Sequence, residues 1–354
     1  MRNSFIRKYL ANKSTWLYLI CGGLVLGAAL LGLLESSVDI PVPTILHIVM
    51  ENAFHLGWME EVPKNLELII WNIRLPRVLL ALCVGASLAL AGAAFQGILR
   101  NPLADPYTIG VSSGAALGAV FVIFFQVSIV GLGSFTLPIV AIGSGLITLL
   151  VVFGLVRLSN RGFAIETFIL AGIIISAFIG ALTSLIISLG DKDSMTQIIY
   201  WLYGSVGMRG WSHVQLISPF LLIGMLILFT HYRELNALAL GEEAADHIGV
   251  NVKRGKLLLL FGASLLTGAA VAVSGTIGFV GLVIPHLVRL VTGPNHRHVL
   301  PLSMLVGGAF LIVADLFSRT IIAPSELPIG VVTGIIGAPI FALLLIRERI
   351  TQRG

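Results

Sequence analysis

Residues 73–119 read IRLPRVLLALCVGASLALAGAAFQGILRNPLADPYTIGVSSGAALGA, and the fold class follows from them. Two arginines flank a proline (Arg74, Pro76, Arg77). Proline has no N–H to give and crowds the turn before it, so a helix is expected to begin here and not upstream. From Val78 to Phe95 the chain is apolar and long enough to cross a bilayer at about 1.5 Å per residue. This run is dense in small residues: Gly85, Ala86, Ser87, Ala89, Ala91, Gly92, Ala93 and Ala94. In lipid no hydrophobic drive pushes helices together, and small residues permit the close approach that dispersion attraction requires. Pro102 and Pro106 then break the helix across Arg100–Pro106, and Gly110, Ser112, Ser113, Gly114, Ala115, Ala116 and Gly118 lead back into an apolar segment. The reading is a tightly packed transmembrane hairpin.

Composition agrees. Of 354 residues, 57% are hydrophobic and 11% charged, against about 25% charged in soluble domains. Mean hydropathy is +1.00. The 39 glycines suit membrane helices. A net charge of +5 invites a nucleic-acid partner, but the basic residues are scattered over short loops, a distribution that membrane orientation explains better. Cys21 and Cys83 both lie in apolar runs and read as buried thiols without redox or metal function. Arg2, Arg7, Lys8 and Lys13 precede the apolar run Trp16–Leu34, which is read as an uncleaved first helix.

Runs of spanning length predict ten helices, at 16–34, 76–96, 109–127, 135–157, 164–189, 213–231, 256–274, 277–292, 299–320 and 328–346. An even count puts both termini on one side. With the N-terminus inside, 16 of the 22 basic residues fall on inner segments and 6 on outer ones, as the positive-inside rule requires. The expected organisation is an all-α integral membrane protein, N-in and C-in. A cytoplasmic segment (1–15) precedes one permease-sized domain (16–346), and a cytoplasmic tail (347–354) follows. Two non-spanning stretches stand out. The outer loop 35–73 is acidic with near-helical apolar spacing, and the inner segment 232–255, YRELNALALGEEAADHIGVNVKRG, suggests short amphipathic helices. The inner segment fits either an interfacial helix lying on its own membrane or a docking element for a cytosolic partner.

No nucleotide-binding G-x-x-x-x-G-K-[ST] occurs in the chain. His286, His296 and His298 have no cysteine or carboxylate near them in sequence, so no metal site is expected. No serine has a His/Asp arrangement around it, so no catalytic residue is assigned. The chain of intramembrane acids that an ion-coupled carrier requires is missing, apart from Asp315 with Arg319 four residues on. Arg74, Arg77 and Arg319 sit at predicted outer helix ends, either as snorkelling anchors or as cations facing carboxylates of an external protein.

The motif series in 74–119 resembles the ferric-siderophore, haem and vitamin B12 permeases of bacterial ATP-binding-cassette importers. The likeness continues through Ser274–His286 (SGTIGFVGLVIPH), Arg289, Asp315, Arg319, Leu327–Thr333 and Gly337-Ala338-Pro339. It implies a type II importer permease of ten helices in the cytoplasmic membrane. The implied partners are a second permease chain, two cytosolic ATPases, an extracytoplasmic binding protein and membrane lipid, with no nucleic acid and no cofactor on this chain. It implies that ATP is hydrolysed elsewhere and that the cargo is a ferric chelate, with haem or cobalamin as alternatives and an autonomous carrier as the competing class. By position, Arg74, Arg77 and Arg319 are implied to receive the binding protein. Leu240, Gly241, Glu242, Ala244, Ala245, Ile248 and Gly249 are implied to couple to the ATPase. Gly92, Gln96, Asn101, Pro102, Arg161, Ser176, Gly278 and Pro285 are implied to line or pack the path.

Overall fold

The computed structural model describes residues 2–35, 38–55, 62–159, 165–249 and 251–351. Among them the regular structure is helical: α1 (Arg2–Leu34), α2 (Val42–Phe54), α3 (Lys64–Leu68), α4 (Leu75–Ile98), α5 (Val111–Phe124), α6 (Thr136–Leu158), α7 (Ile165–Leu189), α8 (Lys192–Leu202), α9 (Gly210–Thr230), α10 (Tyr232–Ala239), α11 (Glu242–His247), α12 (Val252–Ser274), α13 (Val280–Thr292), α14 (His296–Thr320) and α15 (Ile329–Thr351). Seven helical runs are long and apolar enough to cross a membrane, and three shorter apolar ones, in α5, α13 and α15, occupy the other expected places. Sequence reading made α5 and α13 longer than they are. Before α5 the chain forms a 3-10 turn (Pro106–Ile109). Before α13 it runs non-helically from Gly275 (φ 72°) to Phe279 (φ 68°).

α4 is the hub. It is apolar around its whole circumference, and nearly every residue from Val78 to Ile98 is buried, as expected of a helix sheathed by others. A side chain at Gly85 would stand 2.2 Å from the carbonyl oxygen of Gly307 in α14, and one at Gly92 would stand 1.9 Å from that of Gly281 in α13. Seven residues apart, these two glycines share one face. There α4 meets two neighbours with backbone against backbone. α5 and α6 close up in the same way, Gly114 against Thr148 and Gly118 against Ser144. α12 is as deeply buried as α4, whereas α1, α7 and α9 keep most of their surface outward.

One expectation fails at the start of α4. The chain does not break before Pro76; α3 runs through a π-helical turn, Ile69–Arg74, straight into α4. In that wider turn the N–H of Leu75 reaches the carbonyl of Ile70. Continuing the register, Pro76 would owe a hydrogen bond to the carbonyl of Trp71. It cannot give one, and Trp211 Nε1–H of α9 donates there instead, at 2.8 Å. The two tryptophan rings lie 5.1 Å apart. The stretch from α2 to the π-turn also buries Ile45, Ile48 and Ile70, so the apolar face of α2 packs inward.

The glycine contacts give a test. Gly92→Ala should destabilise the chain by about 1–3 kcal/mol through overpacking and lower the monodisperse fraction on fluorescence-detected size exclusion. Gly23→Ala, where nothing lies within 4 Å, should match the parent.

Candidate functional site

Functional residues gather at the two ends of the α4–α14 pair and around a cavity. At one end, the last carbonyls of α1 have no partner within their own helix. Arg74 Nη1 donates to Leu33 O at 2.7 Å, and its Nη2 donates to Val38 O. Arg319 Nη2 donates to Gly32 O. Both arginines thus cap a helix C-terminus, where cations are also favoured by the dipole. Arg74 is 3% exposed. Both guanidinium groups are turned toward the end of α1, with Arg74 buried and Arg319 nearly so.

Arg77 is held bidentately. Its Nε lies 3.0 Å from both oxygens of Asp315 and its Nη2 2.8 Å from Oδ1. Its outer edge meets Glu326 at 2.7 and 2.9 Å. Asp315 is buried, with Arg319 Nε at 3.8 Å, while Glu326 is about half exposed. The hydrogen bond from Arg77 holds the Glu326 carboxyl below the usual carboxylate range. Glu326 was missed in sequence because it lies in a polar loop 249 residues from its partner.

At the other end, α10 and α11 form a short projecting arm. Leu235 and Leu238 are buried, but Leu240 is 73% and Ile248 65% exposed. Gly241 (φ 115°) and Gly249 (φ 85°) bracket α11 in backbone conformations that favour glycine. Ala245 faces inward, Ala244 outward. Glu242 is gripped by Lys256 of α12, itself almost wholly buried. The arm is a fixed element with apolar side chains held out.

Between helices, Gln96 donates to the carbonyls of Gly281 (3.3 Å) and Leu282 (3.0 Å). It also accepts from Arg289, which reaches Ala93 O at 3.1 Å. Asn101 Oδ1 accepts the N–H of Leu103, at 2.9 Å, closing the turn that holds the exposed Pro102. Ser176 Oγ is buried against Gly110. Pro285 is buried inside α13. Arg161 lies outside the described residues. A cavity of about 450 Å³ opens among the connections flanking α4, α8 and α12 and the start of α15; Asp105, Tyr107, Tyr203, Thr276, Gly278 and Phe279 line it. Burial pushes Asp105 up to about 6, partly offset by the N–H of Tyr107. Among the described residues no group of three His, Cys, Asp or Glu is placed to hold a metal.

With this geometry in view, the comparisons identify the class. Residues 24–347 match the FecCD transport family, and the chain belongs to it. It is 49% identical to the ABC transporter permease protein YvrB of Bacillus subtilis over 98% of both chains. It is 43% identical to the cobalamin import system permease protein BtuC of Halobacterium salinarum, covering 81% of this chain and 76% of that one. A solved structure described as an inward-facing conformation of a metal-chelate type ABC transporter superposes with a TM-score of 0.82 at 34% identity, over 94% of this chain and 99% of the other. The chain is an ABC importer permease, multi-pass in the inner membrane.

Two outcomes follow. Arg77→Met leaves the buried Asp315 with only the longer contact to Arg319 and should cost about 3 kcal/mol, the lower end for a broken buried pair; adding Asp315→Asn should restore part of the lost thermal stability in detergent. Asp105 holds its proton more tightly in the folded chain than at its ordinary 3.8. Its contribution is therefore full below that value and is lost as pH rises toward about 6. Asp105→Asn should flatten the fall in Tm across that window.

Proposed function

We propose that this permease pairs with a second permease chain, binds cytosolic ATPase subunits through the α10–α11 arm, and passes a ferric chelate, a siderophore complex first, delivered by an external binding protein. The observation that carries the ATPase assignment is the pair Leu240 and Ile248. An isolated exposed leucine means little. Here two lie on one arm that is pinned by Lys256–Glu242, between helices α9 and α12, and they touch no core of their own. Such a surface is completed by a partner.

In this reading the chain spans ten times. The Arg77 end faces outward and the arm inward, in keeping with the distribution of basic residues. The binding protein meets the outer rim at Arg77–Glu326, where an incoming carboxylate displaces Glu326, while Arg74 and Arg319 hold α1 beneath. Hydrolysis takes place on the partner ATPase. The chelate assignment rests on the family resemblance and on the metal-chelate type of the superposing structure; the cobalamin cargo of the Halobacterium relative keeps that class as the second reading.

Mild-detergent purification of the tagged chain, with mass spectrometry of co-eluting proteins, tests the assembly. An ATPase subunit is expected with the parent. It should be lost from Leu240→Asp/Ile248→Asp while the monodisperse yield of the permease is unchanged, because neither side chain packs internally. A parent that elutes alone and moves cargo without ATP would replace this reading with a carrier.

A further inference from the structure

The chain changes direction at both ends of α10. His231 breaks the helix before α10 (φ −105°, ψ 23°), and Gly241 follows it at φ 115°. Side-chain bonds add to these short junctions in fastening α10 to the membrane helices. Asn236 Nδ2 donates to Asn295 Oδ1 at 3.0 Å. Asn236 Oδ1 accepts the backbone N–H of His296 at 2.9 Å and also lies 2.9 Å from its Nδ1. Asn295 is the N-cap of α14, its Oδ1 accepting the N–H of Arg297. The His296 ring is buried, with Nε2 only 2.5 Å from where a side chain at Gly97 of α4 would begin. Three elements meet at this node: the arm, the first turn of α14 and the last turn of α4.

From the node, α4 and α14 run side by side. They touch backbone to backbone at Gly85 and Gly307 and are fastened again at Arg77–Asp315. The pair is a strut, salt-bridged at one end, tight in the middle, and closed at the node by the His296 ring packed on Gly97. Apolar contacts of Leu235 and Leu238 hold α10 against it but are not directional, so the hydrogen bonds of Asn236 set the register between arm and strut.

We infer that Asn236 is the positioning residue through which movement of the ATPase-docking arm passes to the α4–α14 strut and so to the Glu326 end. The inference rests on the arm being the ATPase-docking element, as proposed above, and adds how the docked ATPase reaches the far side. Rigid elements that move together are a physical carrier of coupling.

The test uses the permease complex with its co-eluting ATPase, with and without ATP and vanadate, read by hydrogen exchange over residues 318–328. In the parent, trapped nucleotide should change exchange there. Asn236→Leu removes all three bonds at similar volume. It should retain the ATPase at parental stoichiometry and hydrolyse ATP, yet shrink the nucleotide-dependent difference roughly fivefold or more, the lower bound of typical coupling. Asn236→Asp keeps both acceptor contacts to His296 but sets an oxygen against Asn295 Oδ1 in place of the donor, and should restore part of the difference. A difference unchanged in Asn236→Leu, or absent from the parent, overturns the inference. So does loss of the ATPase from Asn236→Leu, which would make Asn236 part of the docking surface itself. If Asn236→Leu is not monodisperse, Asn236→Ser is scored by the same criteria. Failure of the parent to retain any ATPase would instead refute the docking reading on which this rests.

Discussion

The close approach of helix backbones along α4 is the constraint on which the structure depends. In lipid, burying an apolar helix between others gains almost nothing over leaving it among acyl chains. The attraction that remains is dispersion, about 0.1–0.2 kcal/mol per atom pair, and it fades within an ångström of added distance. Gly85 and Gly92 remove that ångström, letting α14 and α13 rest on the α4 backbone. The alanines and Ser87 between them keep the side chains beside that face small, while Leu88 and Leu90 fill other sides of the helix. A helix with larger side chains there would be no less hydrophobic, but it would lose the contacts that make it the hub.

Dispersion is nearly indifferent to sliding, so register needs polar contacts, and the structure spaces them along the bundle. Arg77–Asp315 fixes α4 against α14 at one end, and Asn236 with His296 fixes α10 against α14 at the other. Gln96 does the same for α4 against α13, bonding two carbonyls of that helix and accepting from its Arg289. Inside a low-dielectric bundle each of these groups would be costly if left unpaired. That cost enforces specificity, because a one-turn slip would strand several at once.

How much of this was legible in the sequence follows from the same physics. Small residues at helical spacing are local, so the hairpin at 73–119 and the buried character of α4 could be read directly. The arm was legible as short amphipathic helices, but local spacing could not separate the exposed Leu240 and Ile248 from the buried Leu235 and Leu238; only the resemblance marked them. Polar fastenings were not legible, because their partners lie far apart in sequence: Asn236 and His296 are 60 residues apart, Arg77 and Glu326 are 249 apart, and Glu326 and Asn236 are ordinary polar residues in loops or short helices. Pro76 was misread for a different reason. The rule that proline ends a helix assumes an α-helical register, and here a π-turn upstream, with Trp211 on the freed carbonyl, removes the conflict the rule depends on.

The arginines at the Glu326 end show how a residue's charge and its role separate. Six basic residues fall on outer segments in the proposed orientation, and three of them, Arg74, Arg77 and Arg319, read in sequence as snorkelling anchors or as cations facing carboxylates of an external protein. None acts as a free loop cation. Arg77 is neutralised by Asp315 and Glu326. Arg74 and Arg319 spend their donors on the carbonyls that close α1. A helix that ends near a membrane surface must find partners for those carbonyls, and an arginine from a neighbouring helix supplies several donors in one rigid plane. These cations are therefore part of the helix ends they serve.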